Sequence, residues 1–180
     1  MLAFITALAL SPPAEPAPAA REGRHSVELS YFGYHLTRPG GLLGYSWRAV
    51  ESRRRRHALV VGADVGGFVW RHNSVGLLAL PRVGWRGRHR SGLQGEANFH
   101  LGYQHTFLPS ANYEVVGGVA MKAANSGYPG MLFGGTIGIG WLFPRVGLTP
   151  FARVGAYGQF PVFDQLLARL SLSVGIEVRI

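Results

Sequence analysis

The chain has 180 residues, of which 47% are hydrophobic and only 15% are charged, so it is long enough for one domain and too apolar for disorder. Its 26 glycines disfavour a helical protein, and the absence of cysteine excludes a disulfide framework and thiolate metal sites. A net charge of +9 would ordinarily indicate nucleic acid as a partner. Here the arginines stand in short runs between apolar segments, which favours anionic lipid head groups or lipopolysaccharide phosphates instead.

The first twenty residues predict a cleavable signal peptide. Residues 1–10 form an apolar stretch that is too short to span a bilayer, and the small-residue sequence Ala17-Pro18-Ala19 follows it. We therefore assign residues 1–20 to a signal peptide and residues 21–180 to a single domain.

Beyond the signal peptide, apolar side chains alternate with small or polar ones in one segment after another. This period of two is typical of β-strands, whose side chains point to opposite faces in turn. The first two segments, 27–31 and 43–47, predict a hairpin across a glycine-containing turn. Six more predicted strands follow, at residues 58–70, 75–86, 93–104, 131–143, 152–159 and 170–180.

A ninth segment, 113–122, alternates only weakly and contains Gly117-Gly118. A closed single-chain barrel with both termini on one side needs an even number of strands. We therefore leave this segment out of the barrel and interpret it as an arm of a long external loop between the fifth and sixth predicted strands.

The polar faces of these strands mix glycines with opposite charges and amides, as the crowded interior of a small transmembrane barrel requires. The apolar faces would then point outward to lipid. A soluble lipocalin-like barrel would instead place the apolar faces inside. A transmembrane helix over the uncharged residues 123–143 is a further alternative, but the glycines and Pro129 in this span disfavour it.

The closing strand and the strand ends rich in glycine and aromatics resemble the small eight-stranded outer-membrane β-barrel proteins of bacteria, the class of the OmpX-like barrels and the OmpA membrane domain. Examples of these strand ends are Gly44-Tyr45-Ser46-Trp47 and Gly138-Ile139-Gly140-Trp141. The resemblance implies an all-β, eight-stranded antiparallel up-and-down transmembrane β-barrel in the bacterial outer membrane.

In that class the last strand carries an assembly signal for the barrel-insertion machinery. Ser173, Gly175, Val178 and Ile180 match this signal, although an aromatic residue is typical at the final position. The resemblance also predicts aromatic girdles at the two membrane interfaces. The candidate girdle residues are Tyr31, Tyr45, Trp47, Trp70, Trp85, Tyr103 and Trp141.

Charged residues on the polar faces predict an interior network. Opposite charges sealed inside a barrel must pair, because an isolated buried ion is costly, so we interpret the network as structural. Eight strands leave an interior that side chains just fill, so no wide pore is expected. The predicted network residues are Glu28, Arg48, Asp64, Arg82, Glu96, His100, Arg153, Arg169, Glu177 and Arg179.

A lipid A-modifying enzyme of acyl hydrolase or acyltransferase type is the alternative function, since some barrels of the wider class use a Ser, a His and a carboxylate for such chemistry. Ser74 could act as the nucleophile and His72 as its base in a predicted external turn. The pattern expects a Glu about a dozen residues after the Ser, where this chain has Arg86.

The histidine spacings indicate no metal site, and we expect no cofactor. The preferred function is therefore a non-enzymatic structural, adhesion or surface-interaction role. The exposed segment 108–130 would contact lipopolysaccharide, a partner or the environment. The expected partners are outer-membrane lipids, lipopolysaccharide and the barrel-assembly machinery, and we expect a monomer that binds no nucleic acid.

Overall fold

A computed structural model of the chain describes residues 23–34, 38–53, 56–71, 74–108, 113–122, 127–162 and 165–180. The predicted signal peptide lies outside these residues. The described part is all β, which agrees with the high glycine content. Its strands are β1 His25–Tyr34, β2 Arg38–Glu51, β3 His57–Trp70, β4 Ser74–Arg88, β5 Leu93–Phe107, β6 Tyr113–Val116, β7 Val119–Lys122, β8 Gly127–Trp141, β9 Leu148–Val162 and β10 Gln165–Arg179.

Eight strands form a closed antiparallel barrel in the order β1-β10-β9-β8-β5-β4-β3-β2. The closure runs along almost the whole of the first and last strands, from Ser26 paired with Arg179 to Tyr34 paired with Ser171. Every barrel strand therefore has two hydrogen-bonded neighbours, and no edge is left open. The predicted eight-stranded antiparallel barrel is confirmed.

The two ends of the barrel differ in their connections. Both chain ends of the barrel lie at one end, which we call the terminal end, together with the connections from β2 to β3, from β4 to β5 and from β8 to β9. The turns there use positive φ angles at Gly92 and Gly147 (95° and 65°), a conformation that glycine adopts without steric cost. The longer connection between β5 and β8 belongs to the opposite end, which we call the loop end.

Strands β6 and β7 pair with each other in a separate two-stranded sheet, joined by Gly117 and Gly118 at positive φ. The prediction that segment 113–122 stands outside the barrel is confirmed. The predicted limit of the external segment at residue 130 is wrong, because β8 already begins at Gly127, which pairs with Phe107. The pairing of β5 with β8 thus extends to Gly127, although the composition of residues 127–130 is typical of a turn.

The apolar faces of the barrel strands point outward. Ile137 and Ile139 are 64% and 65% exposed, and Phe99 and Leu101 are each more than half exposed. Glu177 and Arg153, on the alternate faces, are buried. This arrangement is the reverse of a soluble barrel and excludes the lipocalin-like alternative.

Exposed aromatic side chains mark both ends of this apolar surface. Tyr45, Trp47, Trp85 and Trp141 lie toward the terminal end. Tyr31, Trp70 and Tyr103 lie toward the loop end. Two such girdles, one on each side of an apolar band, are typical of a transmembrane barrel.

The transmembrane-helix alternative for residues 123–143 is wrong, since Gly127–Trp141 is strand β8. No helix in the described part of the chain is long and apolar enough to cross a membrane.

An apolar cluster fills the loop half of the interior. This cluster is not predicted from the sequence, where the inner faces were expected to be polar. Its members face inward from six strands, among polar residues of the same faces. They are Phe32, Leu42, Phe68, Leu78, Leu80, Leu132 and Tyr157. The interior is therefore layered, with this apolar cluster toward the loop end and most of the charged side chains toward the terminal end.

Candidate functional site

A network of buried ion pairs crosses the terminal half of the barrel. Its seven members come from six strands, because alternation turns one charged side chain after another into the interior. They are Glu28 of β1, Asp64 of β3, Arg82 and Arg86 of β4, Glu96 of β5, Arg153 of β9 and Glu177 of β10.

Glu28 is the centre of this network and is only 2% exposed. Its Oε2 accepts a hydrogen bond from Arg153 Nη1 at 2.7 Å, and its Oε1 accepts one from Arg82 Nη2. Arg86 Nη2 lies 3.7 Å from the same Oε1. One carboxylate thus ties strand β1 to β4 and β9 across the barrel.

Arg86 links the other two glutamates of the network. Its Nη1 donates to Glu177 Oε1 at 2.7 Å, and its Nη2 donates to Glu96 Oε2 at 3.1 Å. Arg86 is not among the network residues predicted from the sequence. It alternates with the outward-facing Trp85, and this pattern alone could have identified it as an inward-facing residue.

Glu96 and His100, four residues apart on the inner face of β5, have different partners. Glu96 accepts from Arg86 and Arg153, whereas His100 Nε2 lies 3.3 Å from Thr136 Oγ1. The His100 ring also meets the edge of the Tyr157 ring, with 5.5 Å between centroids. His100 therefore stands at the border between the charged and the apolar layers.

The three remaining predicted network residues, Arg48, Arg169 and Arg179, also face inward. Arg48 Nη1 forms an ion pair of 2.8 Å with Glu51 at the terminal end. Arg179 lies beside Arg48 around a small cavity at the same end, and Arg169 is buried nearer the loop end. Inward-facing arginines thus extend from the central network toward both ends of the barrel.

The three glutamates of this network are poorly suited to acid-base chemistry. Glu28, Glu96 and Glu177 each contact at least one guanidinium, which stabilises the ionised carboxylate and opposes proton uptake. The arrangement is suited to fixing the walls of the barrel against one another.

Of the two candidate catalytic residues at the loop end, only Ser74 lies within the described residues. Ser74 is buried and begins β4 with its side chain on the inner face, whereas His72 lies outside the described residues. Arg86, at the position where the enzymatic pattern expects a Glu, faces the interior at the opposite end of β4. A search of the described ranges finds no group of three or more His, Asp or Glu side chains that could hold a metal ion.

The predicted assembly-signal residues divide between the two faces of β10. Ser173 and Gly175 face the interior, whereas Val178 and Ile180 face outward and are exposed. The Ile180 amide donates to His25 O at 3.0 Å, so the last residue still takes part in barrel closure.

No protein-family model matches the chain, and no curated protein matches it. Solved structures that are similar to it include two bacterial membrane proteins. The outer membrane enzyme PagL shares 16% sequence identity at a TM-score of 0.54, and the match covers 86% of this chain and 99% of PagL. Ail, the attachment invasion locus protein of Yersinia pestis, shares 10% identity at a TM-score of 0.51, and the match covers 88% of this chain and 99% of Ail. At these identities the likeness concerns the fold.

Proposed function

Because the chain is an eight-stranded barrel of the bacterial outer-membrane type with an apolar belt facing outward, we propose that it serves there in a structural, adhesion or surface-interaction role. The filled interior supports this proposal. The ion-pair network occupies the terminal half and the apolar cluster occupies the loop half, so transport through the barrel is disfavoured.

The β6–β7 hairpin is the proposed contact surface. It pairs within itself and lies in the connection at the loop end, which faces outward from the cell in a barrel with periplasmic termini. Val119 and Met121 are exposed on β7, 64% and 55% respectively. Exposed apolar side chains on a short external hairpin are suited to contact with a partner surface.

The proposal is tested by replacing residues 111–124 with a short Gly-Ser linker. We expect the variant to remain in the outer-membrane fraction and to keep the fast gel migration of an unboiled barrel, because no barrel strand loses its neighbour. Binding of the purified protein to immobilised lipopolysaccharide should fall to background. The double substitution Val119→Ser and Met121→Ser should weaken this binding without loss of the hairpin, and unchanged binding in both variants would refute the proposed contact surface.

A lipid A-modifying activity is the second candidate, and the fold shared with the outer membrane enzyme PagL favours it. The test compares lipid A by mass spectrometry in cells that express the wild-type chain, His72→Ala or Ser74→Ala. If the surface-interaction role is correct, the three profiles are identical to that of cells lacking the protein. A change that depends on His72 and Ser74 would establish the enzyme instead.

The closing strand is the proposed signal for the barrel-assembly machinery. We expect Ile180→Phe to increase the amount of assembled barrel about twofold in cells, because it supplies the aromatic residue typical of the final position and its outward side chain has room in lipid. The heat-modifiable fraction on gels measures this amount. Ile180→Ala is the control and should lower it, and no difference between the two variants would refute recognition of this residue.

A further inference from the structure

A basic cleft lies on the outer wall of the barrel at the terminal end, with a volume of about 620 Å³. Five cationic or titratable side chains line it together with Trp85 and Leu93, and two of the five, Arg56 and Arg88, also border the small inner cavity that contains Glu51. The five are Arg56, His57, Arg88, His89 and Arg90.

The cleft exists because two glycines face each other on its floor. Gly87 of β4 pairs with Gly95 of β5, so the outer surface lacks side chains at this point. The Trp85 ring stands beside Gly87 and stacks on the His57 ring, with 5.6 Å between centroids. A Cβ atom added at Gly95 would meet nothing within 4 Å, which shows how open this depression is.

Two neighbouring turns bring the charges of the cleft together. The Arg88 amide donates to Arg56 O at 2.6 Å, which joins the β2–β3 turn to the end of β4. The His89 amide donates to Leu93 O at 2.8 Å and closes the β4–β5 turn. Backbone hydrogen bonds thus hold three arginines around one depression, two from neighbouring turns and one from the end of β4. The positive charge of the cleft therefore comes from more than one basic run of the sequence.

The position of the cleft along the barrel indicates its ligand. Trp85 belongs to the aromatic girdle of the terminal end, where lipid head groups meet the acyl chains. Guanidinium groups bind phosphate oxygens through paired hydrogen bonds, and the adjoining Trp85 and Leu93 provide an apolar wall for an acyl chain. We propose that this cleft binds the phosphodiester head group of an anionic phospholipid.

This inference rests on the proposed membrane location, and it specifies which class of outer-membrane lipid binds at the terminal end. In a barrel whose termini face the periplasm, the terminal end meets the inner leaflet, which consists of phospholipid. Arg53, Arg56 and the basic run at residues 86–90 lie at this end, far from the leaflet that contains lipopolysaccharide. A phospholipid is therefore the ligand of the cleft, and lipopolysaccharide is not.

The test measures lipid retention on the full mature chain by native mass spectrometry after exchange into micelles containing phosphatidylglycerol or phosphatidylcholine. Wild type should retain one phosphatidylglycerol molecule in preference to phosphatidylcholine. The triple variant Arg56→Gln, Arg88→Gln and Arg90→Gln should reduce this preference about tenfold or more, because each arginine near a membrane surface strengthens anionic-lipid binding. Inorganic phosphate at equal concentration should not displace the lipid, since it cannot use the apolar wall.

A control variant distinguishes lipid binding in the cleft from general electrostatic attraction to the basic end of the barrel. Arg24→Gln, Arg53→Gln and Arg145→Gln remove the same charge from exposed positions at the same end but outside the cleft lining, so they should leave the preference unchanged. An equal loss in both triple variants would overturn the proposal in favour of diffuse attraction. Displacement by inorganic phosphate would overturn the phospholipid assignment.

A second pair of variants tests the cleft without altering its charge. Gly95→Phe fills the depression and should abolish the preference, whereas Gly41→Phe adds the same side chain at an open outward position near the loop end and should not. Retention of the preference in Gly95→Phe would overturn the proposal. If wild type is inserted and heat-modifiable yet shows no preference, this inference fails and the proposed function stands; if it does not reach the membrane fraction, the proposed function fails.

Discussion

Glu28 shows what a single charged residue does inside this barrel. Its carboxylate contacts guanidinium groups from two other strands, Arg82 and Arg86 on β4 and Arg153 on β9. A buried ion pair adds little net stability when formed, but removal of one member leaves its partners charged and desolvated. The main effect of losing Glu28 would therefore be to leave buried arginines without a neutralising carboxylate.

We predict that Glu28→Gln lowers the free energy of unfolding by about 3–5 kcal/mol, because the amide cannot neutralise the facing guanidiniums. Urea-induced unfolding in lipid vesicles, followed by tryptophan fluorescence, measures this change. Glu51→Gln is the matched control: Glu51 also pairs with an arginine, but its side chain is 22% exposed, so a loss of about 1 kcal/mol or less is expected. Equal losses in the two variants would contradict the central role of Glu28.

The face of each charged residue could be predicted from the sequence, but its partners could not. Alternation alone turns Glu28 and Arg153 toward the interior. Their contact joins residues far apart in the chain, and it depends on the order of the strands and on the register of eight pairings. Arg86 illustrates the difference, since its alternation with Trp85 predicts an inward side chain but not its contacts with Glu96 and Glu177.

At the scale of the strand, closure between β1 and β10 decides whether the barrel exists. Gly175 pairs with Ser30 at this seam, and the strands approach so closely that an added Cβ atom would lie 2.4 Å from the carbonyl oxygen of Leu29. A backbone atom cannot move aside as a flexible side chain can. This position therefore requires glycine for packing reasons, beyond its place in the assembly signal.

We predict that Gly175→Val reduces the heat-modifiable fraction of refolded protein several-fold, because the new side chain separates the closing strands. Refolding of the purified chain into detergent, without any assembly machinery, isolates this effect from recognition of the signal. The control is Gly95→Val, where the added side chain meets open space and folding should be unchanged. Normal refolding of Gly175→Val would show that the seam tolerates the change and that only the signal needs this glycine.

For the whole molecule, the layered interior sets what can pass through the barrel. The ion-pair network and the apolar cluster of Phe32, Phe68 and Leu132 lie one above the other along the barrel axis. Side chains therefore fill the cross-section of the barrel in both layers, as expected for a barrel of eight strands.

We predict that liposomes containing the protein stay as impermeable to arabinose as protein-free liposomes, because no continuous aqueous path crosses the two layers. Liposome swelling measures this permeability, with a general porin as the positive control. Phe32→Ala should lower the free energy of unfolding by about 3–5 kcal/mol through the cavity it leaves, while the ion-pair layer keeps the barrel closed to arabinose. Swelling of the wild-type liposomes would contradict the filled interior.

The sequence by itself determined the number of barrel strands, the outward direction of the apolar side chains and the separate status of segment 113–122. These features follow from a local period of two and from the need for an even strand number. Tertiary structure alone decided that Glu28 meets three arginines, that the interior is layered, and that Arg56 joins Arg88 and Arg90 around one cleft. The reason is that these contacts arise from strand order, register and closure, which bring together residues that no local pattern connects.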